Sequence, residues 1–82
     1  VTTEEAILEL LTVPALADSG AVSRLKCGEI ADAATYLIED IHDLGIVISA
    51  VHKGALLEGV REYAHGDKEL YDAYAALLEM HG

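Results

Sequence analysis

Between Cys27 and Leu44, the apolar residues Ile30, Ala34, Leu37, Ile41 and Leu44 recur at intervals of 4, 3, 4 and 3. An α-helix turns once in about 3.6 residues, so this spacing sets all five on one stripe. Such a stripe is the seam of a helix lying along another helix. The pattern therefore predicts a helix over Cys27–Leu44, stopped by Gly45, which takes a left-handed conformation without strain. It also demands further helices to cover the seam.

The rest of the chain supplies them. Thr3 reads as an N-cap, with Glu4 and Glu5 in the first turn, where the helix dipole favours negative charge. Ala6, Ile7, Leu10 and Leu11 follow on one face. That helix ends near Thr12, because Pro14 disfavours helical backbone at Val13. Pro14 to Ser19 reads as a single turn closed by a left-handed Gly20, and Ala21 to Lys26 as a connector anchored by Val22 and Leu25. The run Leu44–Val51 has the β-branched content of a buried strand, but no second strand candidate exists to pair with it. It is read instead as the buried entry to a helix reaching about His65, with Ala50, Val51, Leu57, Val60 and Ala64 on one side and Leu56 and Tyr63 widening it. Gly54 and Gly59 lie inside this helix, which points to a close neighbour or a bend. Gly66 ends it. Asp67 caps a last helix with Leu70, Ala73, Tyr74, Leu77 and His81 in a row and Leu78 beside it, and Gly82 closes the chain. The expected fold is all-α: one domain over residues 1–82, a small bundle of three main helices with one or two short ones.

Composition agrees with tight helix packing. The chain has no Phe and no Trp, so its core is built from Ala, Leu, Ile and Val. The hydrophobic fraction of 52% excludes disorder and is high enough that some apolar surface is expected to be buried between chains. No apolar run approaches the ~20 residues of a membrane span, and the acidic N-terminal residues Val1–Glu5 do not read as a secretory signal. The single Cys27 allows no intramolecular disulfide, which fits a cytoplasmic setting.

Charge narrows function most. Fifteen acids against five bases leave a formal net charge of −10. A broad basic face for nucleic acid is excluded, an anionic membrane would repel the chain, and a recognition helix would carry carboxylates towards phosphates. The suitable partners are basic protein surfaces, metal ions or further copies. The four histidines, His42, His52, His65 and His81, show no spacing of three or four, so no helical metal pair forms. His42 near Glu39, and His65 near Glu62 and Asp67, are read as surface or half-buried residues rather than ligands. Cys27 beside Lys26 at a helix start has the setting of an activated thiol, but a lone cysteine is read as a small buried hydrophobe. No catalytic residue, metal or cofactor is assigned.

One feature points to a specific function. Glu29, Asp32, Tyr36, Glu39 and Asp43, with Asp40 beside them, form the stripe opposite the seam. They span ~21 Å of helix at ~1.5 Å per residue. No basic residue interrupts them, so the usual mixed-sign pairs along a helix do not form. The row of carboxylates parallels the line of charge on DNA. The expected function is a non-catalytic interaction or regulatory protein that presents this surface to a basic partner, as an inhibitor or DNA mimic. The alternative is an oligomeric assembly protein, joined through Ile46, Val47, Ile48 and Val51.

Two segments carry a resemblance. Arg24-Leu25-Lys26-Cys27-Gly28-Glu29 leads into an Ala-rich helix, and Leu57-Glu58-Gly59 is followed by Ala64-His65-Gly66-Asp67. Together they resemble short acidic proteins of actinobacteria and their phages, which carry a Leu-Thr-Cys-x-Glu helix start and a later His-Ala-x-Gly-Asp stretch. This chain departs from them in having Lys26 for Thr and in the order around His65. The resemblance covers about half the chain and implies an intracellular setting, in the host cytoplasm if phage-encoded. It implies no activity.

Overall fold

The computed structural model describes residues 1–79. Helix α1 (Thr3–Leu10) leads through a 3-10 turn (Pro14–Leu16) into the short α2 (Ala21–Lys26); α3 (Ile30–Leu44), α4 (Ala50–Ala64) and α5 (Lys68–Glu79) follow. No strand occurs among the described residues. The architecture is the expected all-α bundle, with α3, α4 and α5 as its long members.

Helix α3 is the central element and touches each of the other four helices. Leu37, Ile38 and Ile41 are fully buried along it, as are Ile7 of α1, Leu56 of α4 and Leu78 of α5. Truncating one such side chain to Ala costs roughly 2–5 kcal/mol, so this row holds the helices together. The seam as read from spacing is displaced at its ends: Ile30 is only half-buried and Leu44 is exposed. Gly45 closes α3 as expected, with φ 67°. The Ile46 amide donates to the Ile41 carbonyl at 3.0 Å and the Gly45 amide to His42 at 3.2 Å, the paired bonds of a glycine-terminated helix.

Several boundaries differ from the sequence reading, each for a local reason. The cap of α1 is Thr2, not Thr3. The Thr2 hydroxyl accepts from the Glu5 amide at 3.1 Å, and the Glu5 carboxylate accepts from the Thr2 amide at 2.9 Å. Thr3 is thereby released to donate its hydroxyl to the Ala55 carbonyl of α4 at 2.6 Å. Gly20 is right-handed, at φ −59°, because Ala21–Lys26 is a helix and Gly20 is its first flanking residue. Ala21, rather than Val22, is its buried anchor, with Leu25 packed against the core. The left-handed turn falls instead at Gly28, at φ 77°. It separates α2 from α3, so Cys27 closes α2 and does not begin α3.

The run after Leu44 is not a buried helix entry. Ile46–Ser49 is irregular, and α4 begins only after Ser49, whose hydroxyl accepts from the His52 amide at 3.1 Å. Ile48 reaches the core, whereas Val47 and Val51 are exposed. The buried face of α4 is Ala55, Leu56, Gly59, Val60 and Ala64; Leu57 is half-buried and Val51 lies outside it. His65 takes the left-handed position at φ 50° and Gly66 follows at φ 87°. Asp67 caps α5 as expected, accepting from the Leu70 amide at 3.1 Å. The inner face of α5 is turned by one residue: Leu78 is fully buried, Tyr71 and Tyr74 are half-buried, and Ala73 is exposed. The expectations for His81 and Gly82 lie outside the described residues.

Candidate interaction surface

The regular turn of α3 keeps the predicted stripe on one side of the molecule. Glu29, Glu39 and Asp43 are exposed, and Asp32 and Asp40 are half-buried. Tyr36 is 37% exposed in their midst. No Lys or Arg lies along α3, as the sequence predicts. The fold brings one from outside. The Nε of Arg24, on α2, donates to Asp32 Oδ2 at 3.2 Å, and its Nη2 donates to the Tyr36 hydroxyl at 2.8 Å. The guanidinium carbon lies 4.5 Å from the Tyr36 ring centroid. These contacts, the Tyr36 hydrogen bond foremost, raise the Arg24 pKa above its already high value. The stripe therefore holds a paired site at Asp32 and Tyr36, with Glu29 before it and Glu39, Asp40 and Asp43 after it.

Among the described residues, Asp32 is the one stripe carboxylate in an ion pair. The other bases in such pairs act elsewhere: Lys53 with Glu79, Arg61 with Glu58, and Lys68 with Asp72. Glu39 meets α5 through Tyr74, whose hydroxyl donates to Glu39 Oε2 at 3.2 Å. Burial, and then the adjacent Glu39 charge, raise the Tyr74 pKa. Clefts open on the surface formed by the described residues, two of them near charged side chains. One, of about 470 Å³, adjoins the Asp32 end of the stripe and is lined by Glu29, Asp32, Glu62, Tyr63 and His65 among others. The other, of about 270 Å³, lies between α4 and α5 with Arg61, Lys68 and Tyr71 on its wall.

The apolar residues read as a self-association patch are not one patch. Ile48 belongs to the core and Ile46 is half-buried against it. Val47 and Val51 are exposed at 76% and 60%, and Leu44, at the end of α3, adds a third exposed side chain at 56%. The histidines are dispersed. His52 Nε2 lies 2.7 Å from Glu9 Oε1 and ties α4 to α1. His65 occupies the end of α4, and His42 is half-buried on α3. No group of three or more His, Cys, Asp or Glu side chains suited to a metal ion forms among the described residues. Cys27 is exposed at the end of α2. That corrects both earlier readings: it is not a buried hydrophobe, and it does not sit at a helix N-terminus where its thiol would be activated.

No helix among the described residues is long and apolar enough to cross a membrane. Comparison with family models, curated proteins and solved structures returns no match.

Proposed function

We propose that this chain is a non-catalytic interaction or regulatory protein whose acidic α3 face docks on a basic protein surface. The supporting observation is the placement of the ion pairs among the described residues: Arg24 meets Asp32, while those of Lys53, Arg61 and Lys68 lie off the stripe, and the carboxylates of Glu29, Glu39, Asp40 and Asp43 are in none of them. Like charges held along a rigid helix repel one another, and a basic partner relieves that repulsion. The same row suits a groove that otherwise holds nucleic acid, so inhibition by DNA mimicry is the form of regulation we favour. The resemblance to actinobacterial and phage proteins fits a phage-encoded inhibitor acting in the host cytoplasm.

The test compares two charge-matched variants, using a short arginine-rich peptide as the probe. One carries Glu29→Gln, Glu39→Gln, Asp40→Asn and Asp43→Asn. The other carries Glu4→Gln, Asp18→Asn, Glu58→Gln and Glu69→Gln. The stripe variant is expected to bind at least about tenfold more weakly than the control variant at low salt, with the gap closing as salt screens the field. Equal affinities would mean that only net charge matters and would remove the stripe as a site.

A second reading is self-assembly, favoured by the exposed Leu44, Val47 and Val51 beside the α3–α4 connection. Three aliphatic side chains make a small patch, well below the area of a stable interface, so this reading ranks second.

A further inference from the structure

The Arg24 contacts are those that a foreign arginine would make. A guanidinium is recognised by an aromatic face, a carboxylate and an oxygen acceptor placed to meet its planar fork. Tyr36 and Asp32 supply all three, and the Tyr36 ring is packed closely against the backbone. The Gly20 backbone lies so close to the Tyr36 ring that a Cβ there would stand 2.8 Å from Cδ2. The arrangement is nevertheless open to solvent, with the Arg24 and Asp32 side chains 36% and 30% exposed. The cleft of about 470 Å³ includes Asp32 in its lining together with two further carboxylates, Glu29 and Glu62.

We propose that Tyr36 and Asp32 form an arginine-reading cradle that the chain's own Arg24 occupies, an autoinhibitory contact that an arginine of the basic partner displaces. The proposal rests on the α3 face being the interface. Displacement is feasible because each contact holding Arg24 is weak at an exposed site. The apparent affinity for a partner arginine is reduced by the fraction of time that Arg24 fills the cradle. The interface thereby favours partners rich in arginine over partners rich in lysine, since an ammonium does not match the fork.

The experiment uses a tetra-arginine peptide and a tetra-lysine peptide, titrated against the wild type, Arg24→Lys and Arg24→Lys/Tyr36→Leu. Arg24→Lys keeps the net charge but gives up the fork, so general electrostatics are unchanged. It is expected to bind tetra-arginine about five- to tenfold more tightly than the wild type, with tetra-lysine unaffected and the gain abolished in the double variant. Circular dichroism monitors folding. Should Arg24→Lys unfold, Arg24→Gln, compared with the charge-matched Lys26→Gln, is expected to give the same gain for tetra-arginine, since it empties the cradle and leaves Tyr36 and Asp32 intact. An unchanged tetra-arginine affinity in the folded variant would show Arg24 to be a staple between α2 and α3 and overturn the proposal. The charge-matched stripe variants separately report failure of the interface itself.

Discussion

Gly59 of α4 and Ala34 of α3 meet with no room for a side chain between them: a Cβ built on Gly59 would stand 2.9 Å from the Ala34 methyl and 2.8 Å from Thr3 Cγ2. This contact joins α4 to both α1 and α3, and it sets how deeply α3 sits in the bundle. It also separates the two glycines of α4, because a Cβ on Gly54 meets nothing within 4 Å.

The two alanine substitutions therefore have opposite signs. Gly59→Ala is expected to destabilise by about 1–3 kcal/mol, because overpacking outweighs the gain in helix propensity. Gly54→Ala is expected to stabilise by up to about 1 kcal/mol, from propensity alone. Urea unfolding of both variants measures this. A stabilised Gly59→Ala would mean that α3 and α4 are further apart than described.

Tyr74 makes stability depend on alkaline pH. Burial and the neighbouring Glu39 raise its pKa, so the folded state favours the protonated phenol. A phenol held above its unfolded value of about 10 contributes stability that is fully present below that pH. The contribution is lost as pH rises through the folded value. Between about pH 8 and about pH 11, the wild type is expected to lose more stability than Tyr74→Phe. Parallel losses would remove Tyr74 from the account.

Val47, exposed at 76%, tests the assembly reading. On the interaction reading the protein is a monomer by light scattering across protein and salt concentrations, and Val47→Lys leaves its mass unchanged. A discrete dimer that Val47→Lys disperses would move self-assembly ahead.

How much was legible in the sequence follows from which contacts are local. The periodicity of α3, the stop at Gly45 and the cap at Asp67 are set by neighbours within a turn or two, and spacing revealed them. The inner face of α5 was read one residue off because its apolar residues are dense enough to support two stripes, and only the partner helices select Leu78 over Ala73. Ala21–Lys26 was read as a connector because a helix of 6 residues carries little periodicity, and its stability comes from packing on α3. The acidic stripe was legible as a pattern, but its pairing with Arg24 was not. Arg24 and Asp32 lie 8 residues apart across the left-handed Gly28, a separation that no helical spacing rule covers. The hydroxyl of Thr3 on Ala55, 52 residues away, was equally out of reach.

The central claim is that the α3 face is where a basic partner docks, and amide chemical-shift mapping tests it most directly. The labelled protein is titrated with the arginine-rich peptide at low and moderate salt. Shifts concentrated on Glu29, Asp32, Tyr36, Glu39, Asp40 and Asp43, and fading as salt shortens the screening length to about 10 Å, are expected. Shifts spread evenly to Glu4, Glu58 and Glu69 would contradict the claim, because the acidity would then act as a diffuse charge with no docking face.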